Sequence, residues 1–140
     1  MLPKTAEYAL RAVVWLGEAE KCVPAEPLAK NIKVPRRYLH TVLQQLVGAE
    51  LVHSQPGPGG GYRLASPIDE ISILDVVNAV SPLERIRHCP LGLETHTRLC
   101  PLHRKLDDAY AAIEKAFSEV TIGQIVRSTS KIKPMVEIKL

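Results

Sequence analysis

Aromatic residues are scarce: one Trp, one Phe and four Tyr in 140 positions, so the apolar 46% is almost wholly aliphatic. That composition favours packed helices over a sandwich of strands. No run approaches the roughly 20 apolar residues that span a bilayer, and Lys4, Glu7 and Arg11 break any leader-like apolar segment at the start. A cytoplasmic protein with no membrane partner is expected. Cysteine is also sparse, at three. An odd, small number argues against a disulfide framework and leaves metal binding, redox chemistry or plain burial. No GxSxG, no phosphate-cradling GxxxxGK and no paired acid/base constellation is present, so no enzyme is expected.

A chain of this length is one ordinary domain in size and buries roughly two thirds of the surface its unfolded form exposes. Net charge is only +3, and its distribution carries more than its size. Residues 1–65 hold eight Lys/Arg against five Asp/Glu, whereas residues 66–140 hold ten of each. A basic module over 1–66 followed by a neutral one over 67–140 is the simplest division.

Apolar spacing predicts the elements. From Thr5, Tyr8, Ala9, Ala12, Val13 and Leu16 make one stripe of an amphipathic helix. A shorter helix follows, with Pro27 in its first turn, Leu28, Ala29 and Ile32 inward, and a turn at Lys33-Val34. The next begins at Pro35, repeats Tyr38, Leu39, Val42, Leu43 and Leu46, and stops at Gly48. Its other face carries Arg36, Arg37, His40, Thr41, Gln44 and Gln45. Two short helices about a tight turn, the second lined with groups that bond base edges, have the form of a helix-turn-helix; an ordinary solvated helix surface is the alternative. A hairpin follows at once: Leu51–Ser54, the turn QPGPGGG, then Tyr62–Ala65. That order makes the fold mainly α, a winged helix-turn-helix with a two-stranded wing. Gly59, Gly60 and Gly61 are free to take positive φ and bring backbone close to a second surface such as a sugar-phosphate edge.

Here the chain resembles a known family. TAEYALRA near the start, PRRYLHTVLQQL, and above all GPGGGYRLA are similar to the IscR/NsrR/CymR family of winged-helix bacterial transcription regulators, over about residues 2–130. The resemblance implies a homodimer on double-stranded DNA at a palindromic operator and, in many members, an iron-sulfur cluster. A repressor sensing redox state, iron-sulfur status or nitric oxide is the corresponding expectation. Arg36 and Arg37 would reach guanine or phosphate, Gln44 adenine, and Thr41 a phosphate or a thymine methyl. Tyr38 and His40 lie on the same helix, and Arg63 with the glycine wing would address backbone or minor groove.

Beyond the wing a helix is expected from about Ser72, with Ile73, Leu74, Val76, Val77 and Val80 inward and Pro82 ending it. Farther on, Leu102, Leu106, Ala109, Ile113, Phe117 and Val120 recur every three or four residues, a seam for a long C-terminal helix. The seam would pack on its own core or on a twin, and the resemblance favours dimerisation. Thr121 caps a short last helix, and the tail from Ser128 is expected to attach loosely.

Between these helices lies RHCPLGLETHTRLCPLH, Arg87 to His103, with five of the chain's eight Cys and His in 17 residues. Clustered thiols and imidazoles in an intracellular chain point to metal or redox chemistry. In cluster-binding relatives, the resemblance implies three cysteines about six apart, sometimes with a histidine three past the last. Cys100 and His103 match that end, and Cys89 stands for the first cysteine. The middle one is missing; its place falls near Glu94, with His96 two residues away. Cys89, Cys100, His103 and His96 would supply two thiolates and two imidazoles to a 2Fe-2S cluster, a mixture such clusters accept. Glu7 from the partner subunit is another donor the family implies. Zinc also accepts this donor set, although C-x6-H-x3-C-x2-H matches no common finger. A Cys89–Cys100 thiol switch, a metal-free regulator of the CymR kind and a zinc-stabilised protein-interaction module remain open alternatives. Cys22 reads as a small apolar residue, and His88 as solvated.

Overall fold

The computed structural model describes residues 1–134. Six helices and one hairpin follow in order: α1 (Lys4–Glu18), α2 (Ala25–Ile32), α3 (Arg36–Gly48), β1 (Val52–Gln55), β2 (Gly61–Leu64), α4 (Ile73–Val80), α5 (Pro101–Ser118) and α6 (Ile122–Val126), with a 3-10 turn at Ile68–Glu70. The mainly helical reading with a two-stranded wing is therefore correct. Residues 135–140 of the expected loose tail lie outside the described residues.

Each early helix buries the stripe its spacing predicts. Ala9, Ala12, Val13 and Leu16 of α1 meet Leu28, Ala29 and Ile32 of α2 and Leu39, Val42, Leu43 and Leu46 of α3 in one cluster. Leu39, Val42, Leu43 and Leu46 are fully buried. At about 1.5–3 kcal/mol per large apolar side chain, this cluster supplies most of the drive for folding. Tyr38 departs from the inward pattern. It is 45% exposed at the outer edge of α3, its ring 6.4 Å from that of Tyr8.

α2 ends in a left-handed residue, Lys33 at φ 55°, whose N–H bonds to the Ala29 carbonyl. The guanidinium of Arg11 donates to the carbonyls of Ile32 and Lys33, two acceptors that a helix end leaves unpaired. This turn sets α3 against α2. Gly48 is the last residue of α3, and the reversal into the wing is made at Glu50, φ 61°.

The hairpin pairs Val52 with Leu64, His53 with Arg63, Ser54 with Tyr62 and Gln55 with Gly61. Two further bonds between Val23 and Tyr62, both 2.9 Å, fasten it to the segment before α2. The second half of the chain returns to the same core through Ile71, Val76 and Ile122. α4 and α6 each open with a capping box, Ser72 with Asp75 and Thr121 with Gln124, and α6 is tied to the 3-10 turn by an Arg127–Asp69 ion pair. α5 is different. It packs against α4, and its only buried residue is Asp107.

Candidate nucleic-acid interface and sensor loop

Burial of the α3 inner face leaves Arg36, Arg37, Tyr38, His40, Thr41 and Gln44 exposed on the other side. Two of the cations are already steered. Arg36 Nη1 lies 3.2 Å from Glu26 of α2. Arg37 sits over the Tyr38 ring at 4.9 Å and donates to its hydroxyl at 2.9 Å. Such contacts hold long side chains in fewer rotamers, which reduces the entropy lost when they bind. Spacing alone gives no sign of either pairing, since Glu26 occupies an ordinary polar position and Tyr38 falls in the apolar repeat.

The three wing glycines do different things. Gly59 has φ +74° and open space where a side chain would be. Gly60 is pressed on its own turn, where a Cβ would come within 2.2 Å of the Gln55 carbonyl oxygen. A Cβ on Gly61, φ +140°, would come within 2.4 Å of Val23 backbone. Gly60 and Gly61 thus let the wing fold on itself and dock, and Gly59, like Gly57 at φ +87°, is free to meet another surface. Arg63 is exposed on β2 opposite the exposed His53.

Residues 87–100 sit between α4 and α5 without regular structure, while Pro101, Leu102 and His103 are already in the first turn of α5. Cys100 is the N-cap of α5, and its Sγ lies 3.3 Å from His103 Nδ1. Cys89 opens a turn in which the Gly92 N–H bonds to the Cys89 carbonyl at 3.1 Å and Gly92 takes φ +66°. The N–H of Leu93, with those of Leu91 and Gly92, points at the Cys89 sulfur and holds its pKa below the usual thiol value against partial desolvation. His96 has an Nδ1 shielded from solvent with no hydrogen-bond partner. Glu7 is exposed on α1, His88 is exposed, and Cys22 is half-buried, its thiol 3.4 Å from the Gln55 side-chain oxygen.

These donors have ligand chemistry, but one chain does not assemble them. Among the described residues, no three of His, Cys, Asp and Glu form a group that could hold a metal ion. Cys100 and His103 are the pair the fold brings together. Cys89, His96 and Glu7 do not join them, so the conformation of a single subunit does not fit a four-ligand cluster.

A feature that motif reading missed holds this region. Asp107, 5% exposed, accepts from Arg85 Nε at 2.7 Å, Arg85 Nη2 at 2.8 Å and the Ile86 N–H at 2.9 Å. The Arg85 bonds chiefly, with the Ile86 N–H, hold the Asp107 pKa down at about 2 although burial pushes it up. Glu114 adds a longer contact to Arg85 at 3.8 Å. In sequence Asp107 looks like one charge on a solvated helix, and its partner lies 22 residues away in a loop.

Outside this anchor, α5 is apolar and uncovered: Leu102 is 63% exposed, Leu106 and Tyr110 40% each, with Ala109 also exposed and Ile113 and Phe117 half-buried. An open groove of about 780 Å³ runs beside it, lined by residues 81–90 with Pro3, Tyr110 and Ile113. None of the helices of the described residues is long and apolar enough to cross a membrane.

Comparison with known proteins agrees with this geometry. Residues 2–128 match the model of the Rrf2 family, described as iron-dependent transcriptional regulators. The HTH-type transcriptional regulator IscR of Aliivibrio salmonicida is 30% identical over 89% of this chain and 76% of its own. Among solved structures, IscR of T. potens superposes with a TM-score of 0.77 at 18% identity, covering 94% of this chain and 89% of that one. CymR, the global cysteine regulator of B. subtilis, gives 0.76 at 22% identity over 93% and 98%. The last two likenesses concern the fold.

Proposed function

Because the chain belongs to the Rrf2 family of transcriptional regulators, and is accordingly a DNA-binding regulator and no enzyme, we propose that it acts as a cytoplasmic homodimer on a palindromic operator, most simply as a repressor. The observation that carries this reading is the face of α3. Its apolar side is sealed in the core while Arg36, Arg37, Tyr38, His40, Thr41 and Gln44 stand exposed together. Arg36 or Arg37 would read guanine, Gln44 adenine and Thr41 a phosphate or methyl, while Gly59 and Arg63 of the wing address the backbone. Gly60 and Gly61 serve by holding the wing in shape. Residues 1–66 form the DNA-binding module in this reading, and 67–140 carry the loop and the dimer helix.

The uncovered stripe of α5 supports dimerisation. Burying what is still exposed of Leu102 and Leu106 contributes about 1 kcal/mol each before association costs. The dimer would place two α3 helices about 34 Å apart, or a multiple, to enter successive major grooves.

We read residues 87–103 as the sensor. Cys89, Cys100 and His103 would be the donors of a 2Fe-2S centre, with His96 or Glu7 of the partner subunit completing the set; Cys89 would have to close on the Cys100–His103 pair to do so. Support comes from the Cys100–His103 pair, the N–H-lined Cys89 sulfur and the unpartnered His96 nitrogen. Such a centre supplies redox and nitric-oxide reactivity. A second reading, a metal-free or thiol-based regulator, is favoured by the failure of three donors to meet within one chain; zinc is the third occupant to test. Anaerobic purification separates them. The first reading expects a coloured protein whose visible band disappears in Cys100→Ala; a colourless wild type with stoichiometric zinc, or with no metal, removes it.

A further inference from the structure

Residues 81–100 contain no helix or strand; they leave α4 at Ser81, enter α5 at Cys100, and between those ends are fastened to α5 through Arg85 and Ile86. Besides an N–H of Leu83 on the Asn78 side chain at 3.1 Å, the anchor is Asp107, and every bond its carboxylate accepts comes from Arg85 or Ile86. We infer that Arg85 and Asp107 are positioning residues, a clamp that sets the Cys89 arm over the face of α5 bearing Cys100 and His103. The inference deepens the sensor reading and rests on it for its purpose.

Two reach arguments carry it. Asp107 follows Cys100 by seven positions and His103 by four, so at 3.6 residues per turn all three share one face, with Cys100 about 10 Å along the helix from Asp107. Ile86, bonded to the same carboxylate, precedes Cys89 by three residues, which span at most about 11 Å when extended. The clamp therefore keeps Cys89 within that distance of Ile86, on a carboxylate about 10 Å along α5 from Cys100, although in this conformation Cys89 does not join the Cys100–His103 pair. Without it, the arm is tied to Cys100 only through the ten intervening residues of loop.

The chemistry of the anchor fits placement better than stability. A buried ion pair regains much less than its Coulomb energy, because both charges must leave water. An apolar contact would hold the strap as well but would let it slide. A guanidinium fork on a carboxylate, with a backbone N–H on the same oxygen, fixes register and orientation together. Asp107 is also the one buried residue of α5, on a helix whose Leu102, Leu106 and Tyr110 are left exposed.

The test uses the full chain with Cys22→Ser, so that Cys89 and Cys100 are its only thiols. Equilibration with reduced and oxidised glutathione gives their effective concentration: glutathione disulfide takes two electrons from the thiol pair, forming the Cys89–Cys100 bond and releasing two glutathione thiols. The clamped protein should exceed the roughly millimolar value of a flexible tether. Asp107→Ala should lower it about tenfold, Arg85→Lys severalfold because charge survives but the fork does not, and Glu114→Gln very little. Leu28→Ala, which weakens the core at α2 away from the clamp, should leave it unchanged; far-UV circular dichroism confirms that each variant is folded. A wild-type value at the flexible-tether level, an Asp107→Ala value within twofold of wild type, or an equal fall in Leu28→Ala overturns the inference. Thiol exchange needs no metal, so a colourless protein with clamp-dependent exchange ends the cluster reading and keeps the clamp. A coloured protein with clamp-independent exchange does the reverse.

Discussion

The two halves of the molecule solve burial in opposite ways. In α1–α3 the apolar stripes are covered, the α2 terminus has its carbonyls paired by Arg11, and the wing is fastened by backbone bonds to Val23. In residues 81–118 apolar side chains face outward, a carboxylate is buried, and an imidazole nitrogen has no partner. The first region is complete in itself, while the second has the surfaces of something still to be joined.

That contrast breaks most visibly in the core. Leu43→Ala removes a fully buried side chain between α3 and α1 and should cost about 2–5 kcal/mol in chemical denaturation. Leu106→Ala, on the uncovered stripe, should leave monomer stability within about 0.5 kcal/mol. Leu106→Glu sharpens the comparison from the other side. It puts a charge into the expected twin contact and should weaken self-association about a hundredfold, measured by light scattering, with the helical circular dichroism unchanged.

Arg36→Ala with Arg37→Ala should weaken operator binding well over tenfold in a gel shift at physiological salt while the fold persists, since a base-reading Arg contributes about 1–3 kcal/mol. Unchanged affinity would remove these two residues from the interface. Ser72→Ala, which loses the cap of α4, should cost about 1 kcal/mol in thermal or urea unfolding. The smallest effect is in pH. Asp107 has its pKa lowered to about 2 in the fold, so its stabilisation is present above the ordinary carboxylate value and fades as pH falls from near 4 through 2. The melting-temperature gap between wild type and Asp107→Asn should close over that window; a constant gap would show that the charge is not what stabilises.

Legibility in the sequence divides along the same line. The helices of the first half could be read because each buries one stripe at 3.6-residue spacing, and the wing because glycine and proline punctuate it. The cap at Thr121 is local chemistry and is equally plain, whereas Ser72 marks only the start of a helix in the sequence and its capping box is seen in the fold. Tyr38 was read as part of the apolar repeat because periodicity does not tell an edge position from a core one. The Asp107 clamp was hidden because its partners are remote in sequence and its residue type is ordinary on a helix surface. The glycine run was seen, but the division of labour among Gly59, Gly60 and Gly61 depends on Val23, nearly forty residues earlier. In residues 87–103 the sequence supplies donor types and spacing, whereas which donors meet depends on tertiary placement, and the fold brings together Cys100 and His103.

The claim that residues 81–118 are completed by a second copy is tested most directly by sedimentation equilibrium of the full chain at micromolar concentration. The account predicts twice the 15.5 kDa chain mass, reverting to the single mass in Leu106→Glu. A wild type that sediments as one chain across that range would contradict it.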